Sequence, residues 1–242
     1  MAKTRRKRAG AAQSSKGQIL RRAVLQVAAR LFAERGFGGT NLQDIADELG
    51  ISRPALYYYF KSKDHLLASM VEEVTVFSGQ RTTELAAKAD SNPGETLRQM
   101  VQSHARWLLE HPVEFKMIDR SENDLPAAVR NTNDRAKRLV LDNFTRIIER
   151  GIEIGHFRPV DPRVTAFTII GMCSWTAWWF RSEGRLSAAE VSQQIADLAV
   201  HAVKRSDSRR TKAVEIADAV KMLRDDLTML ERVIAPAGSK SS

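Results

Sequence analysis

The chain has 242 residues, 43% hydrophobic and 28% charged, with only 13 Gly and 7 Pro. That length holds one or two domains with a real core, and the composition leans to an all-α fold and away from disordered, collagen-like or disulfide-stapled chains. The formal net charge of +9 is uneven, because thirteen Lys/Arg against only five Asp/Glu fall in residues 1–64, which points to a polyanionic partner for that quarter alone.

Residues 1–17 are basic and rich in Gly, Ala and Ser, and are expected to form a disordered arm. Its cations (Lys3, Arg5, Arg6, Lys7, Arg8, Lys16) are either a solvated tail or a mobile arm that adds phosphate or minor-groove contacts. A helix pattern follows, with Leu20, Ala23, Val24, Val27 and Leu31 at helical spacing and Gly36 as its stop. Thr40-Asn41-Leu42-Gln43 fits a capping box, Thr40 accepting from an early N–H and Gln43 reaching back. Leu42, Ile45, Ala46 and Leu49 then make one apolar face, and Gly50 suits the position just past the helix. Ser52 caps the next helix, where Pro54 in the first turn loses no needed hydrogen bond. Leu56 and Phe60, four apart, face inward. Ser62 caps a fourth helix, with Asp64 at its positive end.

Two short helices joined by a glycine turn, the second carrying polar and aromatic side chains, make a helix-turn-helix. The second helix of such a unit enters the major groove. Inward Leu56 and Phe60 leave Arg53, Pro54, Tyr57, Tyr58 and Tyr59 near the outer surface. A tyrosine hydroxyl can donate to a phosphate oxygen, and its ring can pack on sugar or a thymine methyl. Lys61 and Lys63 add charge for phosphate.

The run Thr40 to Leu67, with Ile45-Ala46, Gly50-Ile51-Ser52, Leu56-Tyr57, Tyr59-Phe60 and Lys63 in register, resembles the DNA-binding domain of the TetR family over about residues 18–66. Tyr59 stands where many members carry histidine. The resemblance implies an all-α homodimer whose N-terminal helix-turn-helix domain binds a palindromic operator. It also implies a larger C-terminal helical domain that binds a small molecule, which usually releases DNA. By position it assigns Arg53, Pro54, Tyr57, Tyr58 and Tyr59 to the recognition helix, Thr40 to a phosphate-contacting helix start, and Lys63 to the lysine opening helix four. Tyr59 is also open to a partly buried reading. The organisation expected is a 1–17 arm, an 18–78 DNA-binding domain, a 79–206 ligand-binding and dimerisation domain, a 207–235 helix and a 236–242 tail.

Long helical segments follow, over about 63–89, 94–110, 112–121, 126–154, 162–182 and 187–205. Trp175, Trp179, Phe180, Gly184, Leu186, Ser187 and Glu190 resemble a pattern in one TetR subgroup, the regulators of fatty-acid or sterol catabolism, several of which bind acyl-CoA thioesters. The tryptophans are open to two readings, dimer packing and pocket lining. An acyl chain needs an apolar tunnel, and the phosphates of CoA need Lys or Arg at its mouth. Candidate walls are Phe77, Met100, His104, Trp107, Phe115, Met117, Phe144, Met172 and Trp178, each equally readable as core. Arg106, Arg120, Arg146 and Arg150 are candidate phosphate partners or a solvated helix face. Tetracycline-like drugs, flavonoids and small aromatics also fit the apolar pockets of the family. Ile216, Val220, Leu223, Leu227, Leu230 and Ile234 form a short heptad seam, pairing either across a dimer or back onto its own domain.

An enzyme reading finds no support. There is no phosphate-binding Gly loop, no His-Glu-x-x-His and no paired-cysteine site, and neither cofactor nor metal is expected. His104 and His111 lie seven apart without an evident third ligand. The lone Cys173 excludes an intramolecular disulfide and reads as a small buried residue rather than a redox sensor. No apolar window of membrane-spanning length exists, and the basic start lacks a signal-peptide core, so a cytoplasmic, nucleoid-associated protein is expected. The alternative within DNA binding is a nucleoid protein without sequence choice, distinguished by its specificity ratio.

Overall fold

The computed structural model describes the backbone of residues 2–87 and 92–205, with side chains from residue 17 onward, and beyond them Arg224, Leu227 and Thr228. Met1–Lys204 cluster as one compact unit and Arg205–Ser242 as a second. The heptad helix expected over 207–235 and the tail over 236–242 fall almost wholly outside the described residues.

Ten α-helices and two short irregular turns make up the described part of the first unit: α1 (Ala2–Arg35), α2 (Leu42–Leu49), α3 (Arg53–Tyr59), α4 (Lys63–Val71), a π-turn (Glu72–Val76), α5 (Phe77–Ala86), α6 (Pro93–Glu110), α7 (Pro112–Arg120), a 3₁₀ turn (Glu122–Asp124), α8 (Ala127–Glu153), α9 (Pro162–Trp179) and α10 (Ala188–Val203). The all-α expectation is met. One difference lies at the start. The backbone is helical from Ala2, where Gly and Ser content predicts a disordered arm. The same run is dense in Ala, Lys, Arg and Gln, which are strong helix formers, and it carries straight on into the turns of α1.

α1 buries Val24, Leu25, Ala28, Leu31 and Phe32, spaced by one helical face. Leu42, Ile45 and Ala46 of α2, Leu56 of α3, Phe60 and Leu66 close the small core of the reading head. Each large apolar side chain buried there contributes about 1.5–3 kcal/mol. Turns follow the local chemistry. Gly36 and Gly50 take φ of 75° and 63°, the left-handed region that favours glycine. Ser52 and Ser62 cap α3 and α4 by accepting from Ala55 N and His65 N.

The boundary expected between residues 78 and 79 falls inside α5. α4, the π-turn and α5 form a continuous column from the head into the larger bundle. α5, α6, α8 and α9 pack around Met100, Val101, Phe144, Ile148 and Ile169, all fully buried. α10 lies against α6, with an Arg98–Asp197 ion pair across the contact. Beyond α8 the chain turns at Gly155 (φ 74°) and folds back so that the Phe157 ring covers Gly151, where a Cβ would have no room. No helix among the described residues is long and apolar enough to cross a membrane.

Candidate nucleic-acid interface and effector cavity

α3 presents its outer face because Leu56 and Phe60 tie the inner one to the core. Arg53, Pro54, Tyr57 and Tyr58 are exposed, Tyr58 at 83% of its surface. Arg53 Nη2 donates to Tyr57 Oη at 3.2 Å, and its guanidinium lies 5.2 Å from the Tyr57 ring centre. The two side chains, one turn apart, therefore form a single unit. The Tyr57 hydroxyl lies beside Arg53, which raises the arginine pKa further. A shallow cleft beside this unit is lined by Phe37, Asn41, Gln43, Tyr57, Lys61 and Lys63. The first turns of α2 and α4 border it, and their free N–H groups add donors for an anion.

Thr40 and Lys63 are placed differently from expectation, and Tyr59 takes the partly buried of its two readings. Thr40 is 1% exposed, and its hydroxyl donates to Leu31 O and Gly36 O at 3.2 and 3.1 Å. It fastens the end of α1. The capping box belongs to Asn41 and Asp44 instead: Asn41 Oδ1 accepts from Asp44 N at 3.0 Å, and Asp44 Oδ2 accepts from Asn41 N at 2.8 Å. Both Thr40 and Asn41 are cap formers, and the helix starts one residue later than the Thr40–Gln43 spacing suggested. Gln43 donates to Asp47 at 2.6 Å. Tyr59 is half-buried, with its ring edge-on to Tyr58 at 5.0 Å and its hydroxyl close to Gly17 of α1. Lys63 reaches back to Phe37 O at 2.7 Å.

In the larger bundle a cavity of about 380 Å³ opens between α5, α6, α7, α8 and α9. Its walls are largely apolar, including Val74, Leu108, Phe115, Val140, Leu141 and Ile170. Ser78 and His104 border it, with Ser78 Oγ 2.7 Å from His104 Nδ1. Burial pushes the His104 pKa down to about 4, so the ring is neutral. Lys137, Arg138, Arg163 and Asp119 are also at its edge. Lys137 is bonded to Glu122 at 2.8 Å.

Of the nine wall candidates, His104 and Phe115 border this cavity. Phe77 and Trp107 do not. Phe77 is 45% exposed and stacks on Trp107 at 4.3 Å, and both line a smaller pocket with His104. Trp107 Nε1 donates to Glu73 O in the π-turn at 3.1 Å. Met100, Met117 and Phe144 are buried core, and Met172 packs against it. Trp178 is half-buried beneath the Arg120 guanidinium, 4.8 Å from its ring centre. The arginines proposed for phosphate are elsewhere too: Arg106 pairs with Glu110 at 2.9 Å and Arg150 with Glu153 at 3.4 Å, while Arg146 donates to Asn143 at 3.4 Å. A helix-face pattern separates inside from outside but not core from cavity wall, so Lys137, Arg138 and Arg163 gave no sequence signal.

Cys173 is fully buried, and burial pushes its thiol pKa up to about 12, which leaves it unreactive. Among the described residues no group of three His, Cys, Asp or Glu side chains is placed to hold a metal ion.

Residues 24–70 match the family model described as "Bacterial regulatory proteins, tetR family". Residues 90–203 match "Tetracyclin repressor-like, C-terminal domain". The chain is 31% identical to the TetR family transcriptional regulator PfmR from Thermus thermophilus, covering 75% of this chain and 99% of that one, with a TM-score of 0.61. It is 30% identical to AibR, solved in complex with isovaleryl coenzyme A and operator DNA, covering 76% and 97% with a TM-score of 0.57. It is 27% identical over 192 residues to the HTH-type transcriptional repressor KstR2 of Mycobacterium tuberculosis (strain ATCC 25618 / H37Rv), covering 77% and 91%. Both family models match in chain order and the likeness to PfmR extends over 99% of that chain, so the chain belongs to the TetR family of transcriptional regulators, DNA-binding proteins rather than enzymes.

Proposed function

We propose that the chain is a homodimeric repressor that binds a palindromic operator through α3 and is released by an acyl-CoA thioester. The observation that carries the DNA part is the exposed Arg53–Tyr57–Tyr58 face of α3, beside the first turns of α2 and α4. Arg53 is the side chain suited to a base edge; Tyr57 and the free N–H groups suit phosphates.

A second copy is the natural cover for α9. Val164, Phe167, Trp175 and Trp179 are each more than half exposed and follow one another along that helix, joined by Leu198 of α10 at 63%. Large apolar side chains in one stripe mark an interface. Two such heads on one duplex require an inverted repeat, with half-sites one helical turn or a multiple of it apart.

The effector reading rests on the apolar cavity with cations at its edge, and on AibR, a relative solved with isovaleryl coenzyme A. Release follows if the effector prefers the state whose two heads do not match the operator. The site of action is the cytoplasmic nucleoid.

Fluorescence anisotropy of the full chain on the DNA upstream of its own gene, with acyl-CoA or free CoA added, tests this. Tight binding reversed by acyl-CoA alone supports it. Tight binding indifferent to acyl-CoA keeps the repressor and removes the ligand. Binding no tighter than to random DNA favours a non-specific nucleoid role.

A further inference from the structure

The cavity contains one polar pair that the packing of the bundle leaves half satisfied. Ser78 on α5 and His104 on α6 are buried, with Ser78 Oγ 2.7 Å from Nδ1 of the imidazole. The Ser78 hydroxyl makes no other hydrogen bond among the described residues. Serine owns one proton. A hydrogen on Nδ1 would occupy the serine oxygen and leave that proton without an acceptor. The arrangement that pairs every serine hydrogen is the reverse: Ser78 donates to Nδ1, and the neutral ring carries its hydrogen on Nε2. Burial keeps the ring neutral, with its pKa down to about 4. Nε2 itself is buried and has no partner.

His104 lines the cavity, and a buried donor without a partner is a group that a ligand acceptor satisfies. An ionised carboxylate is a poor occupant for the apolar walls around His104, because it would have to leave water unpaired. A neutral carbonyl oxygen suits them. Lys137, Arg138 and Arg163 line the same cavity, with Asp119 the only carboxylate among the lining residues. Arg138 is exposed and forms no ion pair among the described residues, whereas Lys137 is held by Glu122 at 2.8 Å and Arg163 lies 4.0 Å from Asp142. The cavity therefore offers apolar wall, neutral donors in His104 and the hydroxyls of Thr75 and Ser174, of which His104 is the buried one, and a cationic edge. A thioester of coenzyme A carries an apolar chain, a thioester carbonyl at the root of that chain and, beyond a pantetheine arm with two amides, a polyanionic head.

We propose that the Nε2–H of His104, oriented by Ser78, recognises the thioester carbonyl of the effector, and that Arg138 and Arg163 meet the phosphates of its head. This rests on the acyl-CoA reading above. It makes His104 the specificity-determining residue: a ligand of the same length that lacks the carbonyl oxygen leaves the donor unmatched.

The test is calorimetric titration of the full chain with octanoyl-CoA and with S-octyl-CoA, in which a methylene replaces the carbonyl. The wild type is expected to bind the thioester at least about tenfold more tightly. His104→Phe keeps a flat ring without the donor and is expected to bind both ligands alike. Ser78→Ala leaves the ring but frees its tautomer, and is expected to narrow the preference; it decides the matter if His104→Phe does not fold. Equal wild-type affinity for the two ligands overturns the assignment and leaves acyl-CoA as the effector. A preference that survives unchanged in Ser78→Ala and in folded His104→Phe overturns it as well. Binding of neither ligand by the wild type removes the acyl-CoA reading and this inference with it.

Discussion

The ammonium group of Lys63 donates a 2.7 Å hydrogen bond to the carbonyl of Phe37 and lies 4.6 Å from the centre of the Phe37 ring. The lysine that opens α4 thus fastens the loop after α1 across the reading head. Lys63→Met keeps most of the stem and removes both contacts. A loss of about 1–2 kcal/mol of stability is expected, read as a lower unfolding midpoint in urea. The slope of log affinity for DNA against log salt should not change. A slope flatter by about one would mean that Lys63 spends its charge on phosphate instead.

Arg53 and Tyr57 should separate specificity from affinity. Tyr57 Oη accepts from Arg53, so its own hydrogen remains free to donate outward. Tyr57→Phe should weaken operator and random DNA alike, by about 1 kcal/mol. Arg53→Ala should cost about 1–3 kcal/mol at one base position and little on random DNA. Anisotropy titrations on both duplexes measure the difference. Equal losses for Arg53→Ala would remove its base-reading role.

Glu114 sets one side of the pH dependence of stability. It is 2% exposed, and neither carboxylate oxygen has a hydrogen-bond partner. Burial raises its pKa above the ordinary 4.5, with Glu73 adding to the rise and His111 and Arg22 opposing it. Below that ordinary value both the folded and unfolded chains hold the proton. As pH rises, the unfolded chain ionises first, so stability falls until the folded pKa is passed. Glu114→Gln removes the charge and should raise the melting temperature at neutral pH by a few degrees, with a gain that shrinks on acidification. A gain independent of pH would show that the carboxyl is not ionised in the unfolded reference alone.

His104 acts with the opposite sign. Its folded pKa is lowered from 6.5 to about 4 by burial. Between those values the unfolded chain binds the proton and the folded chain does not, so stability is lost as pH falls. The full gap corresponds to about 3 kcal/mol. His104→Gln, whatever its stability at neutral pH, should lose this acid-dependent part. Urea midpoints measured from neutral pH down to about pH 4 give the comparison. Parallel curves for wild type and variant would contradict the burial of a neutral imidazole.

The reading head was legible because its signals are local. Gly50, Ser52 and Ser62 each act on the backbone within a few residues of themselves, and the spacing of Leu56 and Phe60 alone says which side of α3 turns in. The misplacement of the α2 cap shows the limit of local reading: Thr40 and Asn41 are both competent, and the carbonyls of Leu31 and Gly36, brought close by the fold, claim the threonine. Lys63 was legible as a cation but not as a tether, since its acceptor lies 26 residues away at Phe37.

The sequence by itself determined the helices from residue 18 to the end of α10, the caps of α3 and α4, the polarity of α3 and the family, because each depends on side chains a few positions apart along one element. The tertiary structure alone decided the cavity. Phe144 and Phe115 carry the same apolar ring, yet Phe144 is buried in the core and Phe115 borders the cavity. Nothing in either residue's own helix separates them. What does is whether another helix fills the space opposite, and that is fixed only when α5, α6, α8 and α9 pack together.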